Sequence, residues 1–417
     1  MKPMIAAMSL LGTCAIATGQ QKAQVAYEVP PVIEVAGKLP QEILIGPHHR
    51  VRPTAVSDGY LNHYVIDSDF GVFECVGRRE LELRVIEIGA IAKLVAVSKS
   101  DLFAEGLKRS ITKPIDAVKN IADDPVESVK AVPKTVGHFF KKVGSSVGNT
   151  AKRVGDKIED SRRNDIDAGE AITETGKGIG RGAKNVAGFE KAKLDTARQL
   201  GVDPYSDNPR LQEEMEKVTW AFFAGGMPLR IVGIATGTGI AITATNSVGI
   251  PEDIYDVTPS EIALRDRKSL EAMGAGEELI DTLINGQSLS VSKRHEIITH
   301  LSKLPGEGRI SILQIAAGLE LHRQAAFLER ALAAIVERHQ TAPYVNVKSF
   351  GRLPAGITTD GIIEVAAPVD YVSWTEQVSV FASRDDLEGK RRLLLEGGIS
   401  PLAKNRFATA GWEVLVR

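Results

Sequence analysis

The sequence predicts an α+β protein, in which short strands from the N- and C-terminal portions accompany a central helical domain and an amphipathic helical repeat segment. Three observations predict this class. Short runs rich in valine and aromatic residues, parted by Pro, Gly and Asp, occur towards both ends of the chain. In the middle, apolar residues recur every three or four positions, as in helices that face a core. Residues 101–200 differ from both, because they are rich in Gly and Lys and contain few large apolar residues.

The length and composition are those of a globular protein with more than one domain. The 417 residues suffice for two or three domains, and 43% hydrophobic and 25% charged residues are ordinary values. A formal net charge of −2 provides no overall attraction to nucleic acid, so we expect no nucleic-acid partner.

The first residues predict export. Lys2 precedes an apolar run from Met4 to Ala17, which is followed by small residues and then by polar Gln20. This pattern is typical of a cleaved signal peptide, and the alternative is an N-terminal anchor that stays attached. Removal of the signal would leave Cys75 as the single cysteine, which predicts a buried thiol and no internal disulfide.

We therefore divide the chain into five parts. They are a signal peptide (1–19), an N-terminal α+β region (20–100), the repeat segment (101–200), a helical domain (201–340) and a C-terminal α+β region (341–417).

In the N-terminal region, residues 26–46 and 63–77 predict short strands, with a hairpin tip at Asp67–Asp69. The period then changes to that of a helix, since Leu81, Val85 and Ile88 recur every three or four residues.

In the helical domain, Asn208-Pro209 starts the first helix, and Thr258-Pro259 marks a second helix start. Further helices are expected near 276–286, 291–304 and 309–338. In the C-terminal region we predict strands in 344–350, 361–367, 369–374, 378–382 and 412–417, and a helix over 386–396. The early and late strands are expected to share one sheet.

Within the repeat segment, units of eleven residues follow one another from Pro114 to Lys157. The same position of each unit holds lysine, at Lys119, Lys130, Lys141 and Lys152. Eleven residues make three helical turns, so equivalent positions stay on one face. Over residues 129–157 this places an apolar stripe beside a basic flank, with seven basic residues against one acidic residue.

A stripe of this kind is typical of a helix that lies in a membrane interface. The pattern, though not a family relationship, is similar to the eleven-residue repeats of lipid-binding and desiccation proteins. The residues predicted to contact a membrane or partner are Val129, Lys130, Val136, Phe140, Lys141, Val143, Val147, Lys152 and Val154. Two alternatives are packing of the stripe on the protein's own helices and a disordered linker, which interior glycines and Pro133 would favour.

Other motifs provide little evidence for chemistry. Gly144-Ser145-Ser146-Val147-Gly148 matches the nucleophile elbow, but lysines precede it where a strand is required. His295 and His300 in "HEIITH" are five residues apart, so they do not share a helical face for zinc. Ser290-x-x-Lys293 is interpreted as a polar helix start, and His48-His49-Arg50 as a turn or strand edge. We predict no cofactor and no metal site, and no catalytic residue can be assigned.

Residues 231–250 are uncharged over twenty positions but rich in Gly and Thr. A buried strand or glycine-rich loop is the favoured interpretation, and a membrane-inserting hairpin is the alternative. The functional hypothesis is an exported, periplasmic or secreted protein of the cell envelope that is not an enzyme. It would act through an anionic membrane surface or an envelope protein. The alternative is an exported hydrolase whose catalytic groups come together only in the fold.

Overall fold

The computed structural model describes residues 27–112, 188–231, 250–286, 288–384 and 389–416. It confirms the α+β class, with sheets formed by the N-terminal and C-terminal regions and helices between them. The predicted signal peptide and residues 113–187, the larger part of the repeat segment, lie outside the described residues.

The N-terminal region forms an antiparallel sheet packed on one long helix. Its elements are β1 (Val32–Glu34), α1 (Gln41–Leu44), β2 (Ile45–Gly46), β3 (His49–Val51), β4 (Thr54–Ser57), β5 (Asn62–Ser68), β6 (Gly71–Val76) and α2 (Arg78–Ser98). The strand order is β1-β4-β5-β3-β2, and β6 also pairs with β5. The predicted hairpin tip at Asp67–Asp69 connects β5 and β6. Leu81, Val85 and Ile88 of α2 close the core of this sheet, and Cys75 is buried in it.

The middle of the chain is helical. Its helices are α3 (Asp101–Thr112), α4 (188–200), α5 (Pro209–Ala224), α6 (Pro259–Ala272), α7 (Glu277–Asn285), α8 (Val291–Ser302), α9 (Arg309–Ala317) and α10 (His322–Thr341). Two predicted starts are confirmed. The Asn208 side chain accepts N–H groups at the start of α5, and Thr258 accepts the Glu261 N–H at the start of α6.

The C-terminal region is a mixed sheet between layers of helix. Its elements are β7 (Tyr344–Phe350), β8 (Leu353–Thr358), β9 (Ile363–Ala367), β10 (Tyr371–Val372), α11 (Glu376–Ala382), β11 (Arg391–Leu395), β12 (Gly398–Ile399), α12 (Pro401–Thr409) and β13 (Trp412–Val416). The sheet order is β13-β11-β9-β8-β7, and β9, β11 and β13 are parallel. Side chains alternate across β9, so that Ala366 packs on the α10 side and Val365 on the side of α11 and α12.

The early and late strands do not share one sheet. β1–β6 form their own sheet, and hydrogen bonds from the segment after β9 join the two regions instead. The Asp370 N–H donates to the Tyr60 carbonyl (2.8 Å), and the Asp370 carboxylate accepts the N–H groups of Asn62 (2.8 Å) and Arg78 (3.1 Å). Asp370 therefore fastens the start of α2 to the chain that follows β9.

Three predicted elements were wrong. Residues 378–382 belong to helix α11 rather than a strand, because Thr375 caps the helix and the parallel strands β9 and β11 need a crossover between them. The predicted helix over 386–396 contains strand β11, which is apolar in a continuous run because its leucines are buried in the layered unit. The single helix expected at 309–338 is two helices, since Gly318 ends α9.

Candidate functional site

The residues predicted to contact a membrane or partner all lie outside the described residues. They fall between 129 and 154, as does the Gly144–Gly148 motif, and the described range resumes at 188. What the structure does describe is how the chain enters and leaves this segment.

Both flanks of residues 113–187 lie at one end of α5. Helix α3 packs along α5 in the same direction, with Phe103 near Lys217 and Gly106 against Ala221 and Gly225. The close approach depends on two glycines, because a Cβ on Gly225 would come within 2.8 Å of the backbone of Gly106. The last turn of α3 therefore lies at the C-terminal end of α5.

Helix α4 returns to that same end. Gly188 at its start lies against Phe223, and a three-ring cluster of Phe189, Trp220 and Phe223 has centroid separations of 5.8, 5.8 and 6.4 Å. Further along, Lys193 of α4 bonds Glu216 of α5 at 3.1 Å. Both described flanks of residues 113–187 are therefore packed on α5.

The two flanks of the uncharged segment 232–249 are also held close together. Before it, the Ile231 N–H donates to the Gln199 side chain at 2.9 Å. After it, the Tyr255 hydroxyl donates to the Val202 carbonyl at 3.0 Å, and Arg198 lies over the Tyr255 ring. Both ends are therefore held at the C-terminal end of α4. The segment itself, with its predicted strand, loop or hairpin, lies outside the described residues.

A cleft of about 1640 Å³ lies where the N-terminal sheet, the helical domain and the C-terminal unit meet. One boundary is the carboxyl ends of the parallel strands β9 and β11, marked by Asp370 and Glu396. In open α/β sheets this edge is the usual place for ligands. The other walls come from the start of α2, from α8 and from α10. The position and composition make this cleft the candidate site of the described residues.

The α8 wall carries one lysine shared by two carboxyl groups. Lys293 Nζ donates to Glu296 at 2.7 Å and to Glu329 of α10 at 3.3 Å, and His300 pairs with Glu329 at 3.4 Å. The Glu296 side chain is only 4% exposed, whereas Lys293 is 26% exposed. The lysine therefore lies between a buried carboxyl and the cleft.

This sharing separates the pKa values of the two carboxyls. Burial raises the pKa of Glu296 to about 8, although Lys293 opposes the rise. Burial acts on Glu329 in the same direction, but Lys293 and His300 outweigh it and hold its pKa at about 2. Desolvation would lower the pKa of Lys293, and the two glutamates raise it above its usual value. At neutral pH we therefore expect a charged lysine, an ionised Glu329 and a protonated Glu296.

Two arginines extend the basic character of this wall. Arg330 of α10 makes a two-pronged pair with Glu396, with N–O distances of 3.1 and 3.0 Å. Burial lowers the pKa of Arg79, at the start of α2, and the charge of Arg330 contributes. Arg79 also lies within electrostatic range of Glu329 and Glu296. The start of α2 and the middle of α8 and α10 thus converge on one charged wall.

The hydroxyl groups beside this wall already have structural roles. Ser290 accepts the Lys293 N–H at 3.2 Å as the N-cap of α8, which confirms the predicted polar helix start. Ser292 is buried and donates to Asp203 at 2.5 Å. Neither serine is paired there with a histidine, so this wall offers no nucleophile and base of the Ser-His type.

The two histidines of "HEIITH" bind different partners. His295 bonds Asp266 through Nδ1 at 2.6 Å and Asp253 through Nε2 at 3.3 Å, whereas His300 faces Glu329. Within the described ranges no group of three or more His, Cys, Asp or Glu side chains is arranged to hold a metal ion. The predicted strand edge at His48-His49-Arg50 is confirmed, because β3 begins at His49.

Sequence reasoning missed Lys293, Glu296 and Glu329. A signal was present, because Lys293, Glu296 and His300 follow one another at helical spacing on a helix whose Ile297 faces the core. Charged residues on a core-facing stripe indicate a buried network. Their partner Glu329 comes from another helix, and no spacing along the chain connects the two.

No described helix is both long enough and apolar enough to cross a membrane. Comparison of the chain with protein-family models, with curated proteins and with solved structures found no match.

Proposed function

We propose that this protein is exported and acts in the cell envelope without catalysing a reaction. In this proposal the repeat segment attaches the folded body to an anionic membrane surface or to an envelope protein. The signal-peptide pattern supports export, and the lysine-flanked stripe around Phe140 supports the attachment.

One structural observation carries the proposal. The two flanks of residues 113–187 lie together at the C-terminal end of α5, and the helices there have their own core of Phe103, Leu211 and Phe222. A segment whose two described flanks meet at one end of α5 does not link distant parts of the fold. Its basic, amphipathic sequence is therefore better suited to an external surface than to the interior.

Vesicle flotation of the full chain tests the attachment. We expect the protein to float with vesicles containing anionic phosphatidylglycerol, and to float less as added salt screens the lysines. Replacing residues 113–187 by a short Gly-Ser linker should abolish flotation and leave the unfolding transition of the body unchanged. Equal flotation of the linker variant would overturn the proposal for this segment.

A point variant sharpens the test. Phe140→Asp places a charge in the middle of the stripe and should reduce flotation strongly, whereas Phe140→Leu keeps an apolar side chain and should retain it. Equal flotation with neutral phosphatidylcholine vesicles would remove the electrostatic part of the proposal. If the protein binds neither kind of vesicle, the remaining form of the proposal is attachment to a protein partner. An envelope-fraction pull-down with the full chain and the linker variant then decides, and equal recovery by both rejects it.

Export is tested separately by mass spectrometry of the mature N-terminus in the native host. We expect cleavage near Ala17–Gly19. An intact Met1 on cytosolic protein would contradict export. The alternative, an exported hydrolase, stays a prediction, and turnover of a broad ester and peptide substrate panel would favour it.

A further inference from the structure

We propose that the cleft binds an organic anion, namely a carboxylate or phosphate group attached to an apolar body. The anionic group would lie against Lys293 and Arg330, and the apolar body between Tyr60 and Phe327. This inference rests on described residues alone and is independent of membrane attachment by the repeat segment.

Lys293 has hydrogen-bonding capacity that its two carboxyl partners do not use. An ammonium has three donors. Among the described residues, two of them reach Glu296 (2.7 Å) and Glu329 (3.3 Å), which leaves one for a group in the cleft. The side chain is partly exposed and lines the cleft. A ligand carboxylate or phosphate would complete its coordination by a charge-assisted hydrogen bond.

The same wall of the cleft carries charged groups of both signs. Lys293, Arg330 and Arg79 are cationic, and Glu329 and Glu396 are anionic. Burial raises the pKa of Glu296 to about 8, so Glu296 offsets less of the positive charge at neutral pH than an ordinary carboxylate would. Lys293 and Arg330 therefore present N–H donors to the cleft, and such donors favour an anion over a cation.

The same cleft also has an apolar side. Tyr60, from the loop before β5, and Phe327 of α10 both line the cleft and pack on the C-terminal core. Phe327 lies one turn before Arg330 on α10, so an apolar surface and a guanidinium are neighbours. A molecule with a charged end and an apolar body matches this arrangement, whereas a small inorganic ion would use only half of it.

Calorimetric titration of the full chain tests the proposal with four probes of one chain length, each kept below its micelle concentration. They are decanoate, decyl phosphate, decanol and decyltrimethylammonium. We expect the two anions to bind, and decanol and the cation to bind at least about tenfold more weakly. Comparing decanoate with decyl phosphate identifies the preferred anionic group. Equal binding of decanol, or no binding of either anion, would overturn the proposal.

Variants locate the binding. Arg330→Gln removes a partly exposed guanidinium and should weaken binding of the preferred anion about tenfold. The double variant Lys293→Met with Glu329→Gln removes the ammonium together with its ionised counter-charge, and the glutamine amide still offers His300 an acceptor oxygen. It should weaken binding by a similar factor. The matched control is Lys303→Met, at the exposed end of the same helix α8. Unchanged affinity in folded cleft variants would overturn the proposal, because the repeat segment could then be the binding surface.

Discussion

Two buried carboxyl groups in this molecule have opposite surroundings. Glu364 on β9 is 0% exposed and is bonded by two guanidinium groups, from Arg338 (3.0 Å) and Arg392, and by the Tyr344 hydroxyl (2.7 Å). Glu296 on α8 is nearly as buried, but it shares its single lysine with Glu329. Glu364 is therefore bonded by two cationic side chains, whereas Glu296 has one lysine that also serves Glu329.

The difference appears in their protonation. Desolvation would raise the pKa of Glu364, but hydrogen bonds from Arg338, Tyr344 and Arg392 outweigh it and lower the pKa. Burial of Glu296 is not outweighed, and its pKa is raised to about 8. A complete set of partners is characteristic of a structural role, here the joining of α10, β9 and β11. Incomplete compensation beside a cleft is characteristic of a functional site.

The largest effect should come from Glu364→Gln. Loss of this charge leaves Arg338 and Arg392 facing a buried neutral site, with only the exposed Glu413 still paired with Arg392, so we expect a loss of about 3 kcal/mol in the free energy of unfolding. Glu413→Gln is the matched control, because it removes the exposed partner of the same Arg392 and should cost less than about 1 kcal/mol. Chemical denaturation measures both, and similar losses in the two variants would contradict the structural role of Glu364.

Lys293→Met should cost about 2 kcal/mol at pH 7, since it leaves the ionised Glu329 without its main counter-charge and the lysine is only partly buried. In the native protein the depressed pKa of Glu329 contributes stability above its unfolded value, and that stability is lost as pH falls towards about 2. In the variant Glu329 can take a proton, so the cost should shrink near pH 4. Lys303→Met should be neutral at both pH values. A pH-independent cost would contradict the shared-lysine description.

Glu296→Gln should behave differently. A raised folded pKa means that the carboxyl stabilises the protein below its unfolded pKa and that this contribution is lost as pH rises to about 8. Relative to the native protein, the variant should therefore gain stability between about pH 5 and pH 8 and then level off. One proton limits the slope to about 1.4 kcal/mol per pH unit, and the gain should stop at the pH at which Glu296 ionises. Parallel denaturation curves across this range would contradict the prediction.

More of the fold than of the candidate site could be predicted from the sequence. Caps at Asn208 and Thr258 and the period of α2 are local signals, and the structure confirms the helices they predict. The segment of strand β11 was predicted as a helix and that of helix α11 as a strand, because their secondary structure depends on layers formed by distant residues. The charged wall joins α2, α8 and α10, and no local pattern specifies which helices meet. The predicted membrane-contacting residues lie outside the described ranges, so they stay predictions.

The smallest effect concerns His295, whose surroundings are closer to those of Glu364. Its hydrogen bond to Asp266 raises the His295 pKa above the usual value, against desolvation. The stabilisation is therefore fully present below about pH 6.5 and is lost as pH rises through the folded pKa. His295→Gln should cost about 1 kcal/mol at pH 5.5 and less at pH 9. Thermal unfolding at the two pH values checks this, and an equal cost at both would show that the charge contributes nothing.

The protonation of Glu296 itself is the most direct test of the account. Carbon-13 labelling of the glutamate side-chain carboxyls allows each titration to be followed by NMR in the full chain, with Glu296→Gln identifying the resonance. We predict one carboxyl with a midpoint near pH 8 that disappears in this variant, and a Glu364 resonance that stays ionised down to low pH. If every glutamate titrates below about pH 6, Glu296 is as fully compensated as Glu364, and the distinction between the two sites is wrong.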